Sequence, residues 1–354
     1  MSTRFQRWAA RMPLVRGKAA REAQAAFDLC AGFVYSQTLF ASVKLGVLKA
    51  VADGPIGLEA LVARTGLPQQ SARTLINAAI ALGLLSRRSH GRIGLGMRGA
   101  AISANPGIAA MVEHHAMLYA DLADPVALLA RPKADTRLAG YWPYAASAAP
   151  HGIKPDCAKP YSGLMTTSQS LLADNIIDAY PFHRHRRVLD VGGGEGAFLA
   201  TLSARHPGLA LHLFDLPAVV ELAESRLASL GLGGRISTTG GDFARDPLPT
   251  GFDAATLIRV AHDHDDDRAV EIFANIRRAL VPGGALVIAE PMSGIRGAER
   301  VSDVYFAFYL LAMGSGRPRS PGQLEELLRA AGFASFRKAA TAQPMIASVL
   351  VASA

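Results

Sequence analysis

From residue 185 onward the chain alternates short apolar runs with longer stretches whose apolar residues recur at helical spacing. The runs fall near 187–191, 209–215, 235–239, 253–259 and 285–290. Strand-length apolar runs between helical stretches predict a parallel sheet with helices on both faces. Pro282-Gly-Gly284 reads as the turn that delivers the fifth strand, and Phe336–Thr341 with Ser348–Val351 as a closing hairpin.

Upstream the pattern changes. Val34, Leu39, Val43, Leu45, Val47 and Leu48 recur roughly at helical spacing. Leu58–Gly66 and Pro68–Leu75 read as helix, turn, helix, and Gly83–Leu95 as two short strands around a turn. That is a winged-helix module. A helix that reads the major groove needs several Arg, Lys or Asn side chains on one face. The stretch 69–82 offers Arg73 and two glutamines among Leu75, Ile76 and Ile80, so dimerisation is the better reading and nucleic acid a poor partner. The segment 101–184 is helical but broken by seven prolines from Pro106 to Pro160. The expected organisation is an arm over 1–25, the winged-helix module over 26–100, a helical pocket region over 101–184 and an α/β domain over 185–354.

Composition narrows the class. The 354 residues suit two domains, and no apolar run is long enough to span a bilayer. Two cysteines, Cys30 and Cys157, make neither a disulfide framework nor a metal site, which points to a reducing cytoplasm. The net charge of +8 changes little except at the start of the chain. There Arg4, Arg7, Arg11, Arg16, Lys18 and Arg21 alternate with Phe5, Trp8, Met12 and Leu14. A basic amphipathic helix over 1–21 suits peripheral contact with an anionic membrane surface at the inner face; a frayed arm or a segment packed across a dimer fits equally well.

The candidate chemistry lies at the strand ends. Arg187-Val-Leu-Asp-Val-Gly-Gly-Gly-Glu-Gly-Ala-Phe198 is a buried strand, a glycine loop and a helix start. Gly192, Gly194 and Gly196 let the backbone lie against a ligand, and Asp215 ends the next strand where ribose hydroxyls would sit. The glycine spacing alone also fits a dinucleotide. Asp190 inside the loop motif would repel a pyrophosphate but hold an ammonium group, and Gly241-Asp-Phe243 offers Asp242 and Phe243 to an adenine. S-adenosylmethionine (SAM) is therefore favoured over NAD. His262, after the fourth strand, is placed to take a proton from a substrate hydroxyl, with Glu290 on the neighbouring strand as its orienter. Spacing leaves open a helix cap or a metal site built from His262, His264 and the following aspartates. Tyr141, Trp142, Tyr144 and Tyr161 cluster in the pocket region, and Tyr305, Phe306, Phe308, Tyr309 and Met313 make a long apolar wall or a helix core.

In order, the winged module, Asp190–Gly196, Phe214–Pro217, Gly241–Phe243, Val260–His264 and Pro282–Gly284 resemble the small-molecule O-methyltransferases, a class that includes plant caffeate and hydroxyindole enzymes. The resemblance implies a Rossmann-like sheet, a homodimer, SAM as cofactor, His262 as catalytic base and Glu290 as its supporting carboxylate. It also implies cofactor contacts from Leu216 and Arg259. The class carries a second carboxylate where this chain has Pro318, within Gly316–Ser320, leaving Glu290 as sole orienter and putting a phenol-tuned site in doubt. Tyr141-Trp-Pro-Tyr144, Pro125–Leu129 and Phe308–Ser320 resemble the demethylspheroidene (hydroxyneurosporene) O-methyltransferases. That implies methylation of the 1-hydroxyl of an acyclic carotenoid, a lipophilic substrate touching Trp142, Tyr144, Met165, Tyr305, Phe306, Tyr309 and Met313. The competing readings are another acceptor (a tetrapyrrole carbon, a polyketide phenol or an indole) and a SAM-sensing winged-helix regulator.

Overall fold

The computed structural model describes residues 13–130, 135–141, 172–345 and 347–354, with the side chains of 13–16 and 106 outside that description. Trp142, Tyr144 and Met165 lie outside the described residues, as do residues 1–12 of the basic arm. The chain forms two compact units, residues 1–114 and 115–354. The helix Pro13–Lys44 runs through the boundary expected at 25, and the helix Pro106–Asp121 crosses the boundary between the units.

In the first unit a left-handed Gly46 ends the long helix and starts the short one at Val47–Ala50. Strand β1 (Ile56–Gly57) leads into the helix Leu58–Arg64, and Pro68 caps the helix Gln69–Ala81. Strands β2 (Leu85–Arg87) and β3 (Arg92–Leu95) form the expected wing, with β3 central in a three-stranded sheet. Leu61, Ile76, Leu85 and Ile93 fill the core beneath it. The arginines that a DNA reader would need are engaged locally: Arg73 pairs with Glu59, and the Arg87 guanidinium donates to Asn77 Oδ1. The helix Pro13–Lys44 leaves Phe27, Leu29, Phe33 and Val34 exposed.

The second unit is built on seven strands in the order β6-β5-β4-β7-β8-β10-β9. These are β4 (Arg187–Val191), β5 (Ala210–Asp215), β6 (Ile236–Gly240), β7 (Phe252–Ile258), β8 (Leu280–Glu290), β9 (Ser335–Ala339) and β10 (Ser348–Ser353). Strands β4 to β8 are parallel, as expected. The last two are not: β10 returns antiparallel beside β8 and carries β9 at its outer edge, so the sheet is mixed. Apolar periodicity marks both as strands but carries no information about direction. Pro282-Gly-Gly284 is a bulge rather than a preceding turn, since Leu280 already pairs with Phe252 before Ala285 pairs with Ala254.

Alternation along each strand assigns its side chains to two cores. Val188, Leu213 and Val287 face Ile176, Phe198 and Leu227 on one side of the sheet. Leu189, Leu257 and Ile288 face Ile272, Phe273 and Leu328 on the other. Phe273→Ala, at a position with no exposed surface, is expected to cost about 3–5 kcal/mol, read as a lowered denaturant midpoint.

Candidate active site

The polar side chains collect at the carboxyl ends of the parallel strands, where such sheets bind ligands. Strand β4 ends in a turn in which Gly192, Gly194 and Gly196 all have positive φ. A Cβ on Gly192 would stand 2.7 Å from Val260, and one on Gly193 would stand 2.6 Å from Asp190 Oδ2. The turn therefore needs glycine for backbone angle and for room. Gly196 then starts the helix Ala197–Arg205.

Two buried acids sit under this turn. Thr256, opposite Asp190 on β7, donates to its Oδ1 at 2.6 Å, while Oδ2 has no hydrogen-bond partner. Burial, helped by the charge of Asp215 and opposed by the Thr256 hydrogen bond, raises the Asp190 carboxyl to about 7. Asp215 accepts from the N–H groups of Gly194 (2.8 Å) and Leu216 (2.7 Å), and burial raises it to about 6 in spite of them. An unpartnered buried oxygen beside a bare backbone turn fits a ligand that brings its own hydrogen-bond donors and positive charge.

On the flank, Asp242 was expected to meet an adenine amine. Its two oxygens lie 2.7 Å from Nη2 of Arg268, a partner not singled out in the sequence; burial raises this carboxyl, but Arg268 and the Ala244 N–H hold it below the usual carboxylate range. Phe243 packs edge-on against His264 and lies within 3.7 Å of the space a Gly192 Cβ would take. Arg259 leaves β7 in a left-handed conformation, fixed by its N–H bond to Ala289 O, and its guanidinium stands 5.4 Å from the Phe306 ring centroid.

His262 lies in a tight turn, Ala261–Asp263, just past β7 and before the helix Asp266–Ala279. It is buried. Its Nδ1 contacts Glu290 Oε2, and Oε1 of the same carboxylate accepts the N–H groups of Val260 and Ala261. Its Nε2 lies 3.0 Å from Asp263 Oδ1. The expectation of Glu290 as sole orienter is therefore corrected: acids face both ring nitrogens, and the second is the next residue in the chain. Burial pushes the imidazole down, but the charges of Asp263 and Glu290, with the Glu290 hydrogen bond, raise it to about 9; the Asp263 Oδ1 contact is ionic, without hydrogen-bond geometry. Among the described residues no group of three acids, histidines or cysteines is arranged to hold a metal ion.

An aromatic group adjoins the imidazole. Phe306 meets His262 edge-on at 5.7 Å, Tyr305 meets Phe306 at 5.0 Å, and Tyr309 packs on both. Tyr305 and Phe306 end a π-helical segment, Arg300–Phe306, a form often found at functional sites. Met313 packs into a core with Leu118, Leu128 and Leu138, so it supports this wall from behind. His115, not singled out in the sequence, has Nε2 2.8 Å from the Tyr305 hydroxyl. Burial lowers His115 and raises Tyr305, keeping both neutral.

Comparison with known proteins accounts for both units. The O-methyltransferase domain family matches residues 119–334, and the O-methyltransferase dimerisation domain family matches residues 27–99. The demethylspheroidene O-methyltransferase of Cereibacter sphaeroides is 44% identical over 351 residues, covering 99% of this chain and 92% of that protein. Its Rhodobacter capsulatus counterpart is 41% identical over 352 residues, covering 99% and 87%. The crystal structure of human N-acetylserotonin methyltransferase in complex with SAM has the same fold, with a TM-score of 0.78 at 22% identity over 94% of this chain and 97% of that one.

The His262 environment has a consequence for stability. A histidine raised in the folded state to about 9 stabilises fully below its ordinary value near 6.5, and that contribution is lost as pH rises through 9. Glu290→Gln keeps an acceptor for the Val260 and Ala261 N–H groups but removes one charge. The gap in melting temperature between wild type and E290Q is expected to be widest near pH 6 and to close toward pH 10 (thermal scans at fixed ionic strength).

Proposed function

The chain belongs to the O-methyltransferase family that joins a methyltransferase domain to a dimerisation domain, and from that premise we propose that it methylates the 1-hydroxyl of an acyclic carotenoid of the demethylspheroidene type. The carrying observation is identity of 44% and 41%, over almost the whole chain, with two enzymes of that name. Exposed Phe27, Leu29, Phe33 and Val34, all within the matched dimerisation segment, suit a homodimer.

SAM supplies an electrophilic methyl group on a sulfonium. Gly192, Gly194 and Gly196 bring the backbone to this ligand, with Leu216 at the start of the next helix, and Asp215 takes the ribose hydroxyls. Asp190, whose Oδ2 has no partner among the described residues, would hold the ammonium end. Phe243 offers the adenine a face, and Asp242, steadied by Arg268, faces its edge; Arg259 closes the side toward Phe306. The wall of Tyr305, Phe306 and Tyr309, backed by Met313, receives the polyene.

His262 acts as general base. Its Nε2 must lose its proton and turn from Asp263 to the acceptor hydroxyl, while Glu290 holds Nδ1 and stabilises the charge that returns. Aligning acceptor and methyl supplies up to about 7–11 kcal/mol of the barrier. A base raised to about 9 suits an alkanol, a much weaker acid than a phenol. The basic stretch 1–21 rests on the membrane surface in which such a substrate dissolves; deleting it is expected to abolish co-sedimentation with anionic vesicles and leave activity on micellar substrate intact.

The test is incubation with labelled SAM and a panel of hydroxylated carotenoids, phenols and indoles, with mass analysis of products. Transfer to the tertiary carotenoid hydroxyl is expected; transfer only to phenols or indoles would overturn the assignment. His262→Ala is expected to lower kcat by about 10²–10⁴-fold. Because the base must be neutral and is raised, kcat/KM is expected to climb with pH until about 9. The affinity for SAM is expected to tighten as pH rises through about 7, where Asp190 ionises, and Asp190→Asn is expected to flatten that dependence in calorimetry.

A further inference from the structure

The segment after Met313 makes an unusual number of bonds to one short stretch of backbone. Gly314 ends the helix Ala307–Met313 in a left-handed conformation, and Ser320 opens the helix Pro321–Ala330 with a capping box to Gln323. Between these two anchors, residues 315–319 reach the backbone of 261–264. Ser315 Oγ donates to Asp263 O at 2.8 Å, and the Arg317 N–H donates to His262 O at 2.9 Å. Arg319 Nη1 donates to Ala261 O at 2.7 Å and Nη2 to His264 O at 2.6 Å.

Four consecutive carbonyls on either side of the imidazole are thus held from one direction. Arg319 is the keystone. It is 2% exposed, its Nε donates to Asp266 Oδ1 at 2.8 Å, and its own carbonyl accepts from the Ser293 N–H, just beyond Glu290. Gly316 (φ +72) lies so close that a Cβ would stand 2.0 Å from His262 O. A planar fork with fixed donor directions can span Ala261 O and His264 O together; a lysine ammonium cannot.

We propose that Arg319, with Gly316, is a positioning residue that sets the His262 imidazole against Glu290 and the acceptor by clamping the carbonyls of its turn. The clamp occupies the stretch where the resembling class carries its second carboxylate, and it acts on backbone rather than on the imidazole. It rests on the reading of His262 as base, and the experiment separates the two.

Full-length wild type, Arg319→Lys, Arg319→Ala and Gly316→Ala are compared for kcat, both KM values, SAM affinity by calorimetry, and His262 titration by imidazole NMR. Arg319→Lys keeps the charge and loses the fork. It is expected to lower kcat by about 100-fold, the effect of a displacement near 1 Å, with SAM affinity within about threefold of wild type. The His262 titration is expected to fall from about 9 toward the ordinary histidine value, and added guanidinium to restore part of the kcat of Arg319→Ala. Gly316→Ala is expected to match Arg319→Lys. Where wild type is active, the clamp stands only if kcat falls with SAM affinity kept and the His262 titration moves. Any other combination overturns it, including a loss of kcat that merely follows SAM affinity or thermal stability. Should wild type methylate no hydroxyl, the functional reading fails while the titration still decides the clamp.

Discussion

A buried imidazole held between two carboxylates is the constraint that the rest of the second unit serves. Removing such charges from water is costly unless every remaining lone pair and proton is satisfied. Glu290 meets that condition by dividing its oxygens, one on His262 Nδ1 and one on the N–H groups of Val260 and Ala261. The carbonyls of the same turn are taken by Ser315, Arg317 and Arg319. Where β7 gives way to this turn, Arg259 is left in a left-handed conformation, a strain on the order of 1–3 kcal/mol. Its N–H bond to Ala289 keeps that residue on the β8 side, so the strain persists because the surroundings leave no alternative.

The same edge of the sheet carries two opposite electrostatic settings. Under the glycine turn, burial raises Asp190 and Asp215, and one oxygen of Asp190 is left without a partner. Both acids ionise more readily once a cation arrives. At the end of the neighbouring strand β7, His262 is raised by acids already in place. The first setting leaves a buried acid oxygen open to a ligand, whereas in the second the charges that face the imidazole come from the protein itself. That division fits a reaction in which one component brings positive charge and the other brings only a weakly acidic hydroxyl.

Much of this was legible in the residues. Asp190, Asp215, His262 and Glu290 all end or follow apolar strands, and strand-end position in an α/β pattern is a local signal. The glycines announced their turn for the same reason. Contacts between distant segments left no such trace. Arg268 reads as an ordinary helical arginine until it meets Asp242, and His115 as one of a helical pair until it meets Tyr305. Asp263 reads as one acid in a capping run, because the fold of a single turn decides that it faces Nε2. Arg319 lies 58 residues from the carbonyl of Ala261 that it holds, and no periodicity spans that gap. The closing hairpin of β9 and β10 was legible, but the pairing of β10 with β8 was hidden likewise, since alternation records faces and not neighbours.

Pro318 illustrates how a local departure is absorbed by the surrounding geometry. Proline has no N–H to place, and its fixed φ lets the chain pass between Arg317 and Arg319, whose donors point back to the His262 turn. A carboxylate is still present beside the imidazole, but it comes from Asp263, inside the turn being clamped. Rigidity and charge are thereby supplied by different segments, one gripping backbone and the other facing the ring. Together they leave the imidazole firmly placed and comparatively basic, which suits the role proposed for it. A phenol loses its proton with little help, so its methylation is limited chiefly by alignment. A tertiary alkanol gives up its proton only as the new bond forms, and the advantage of a stronger, fixed base is greatest for that acceptor.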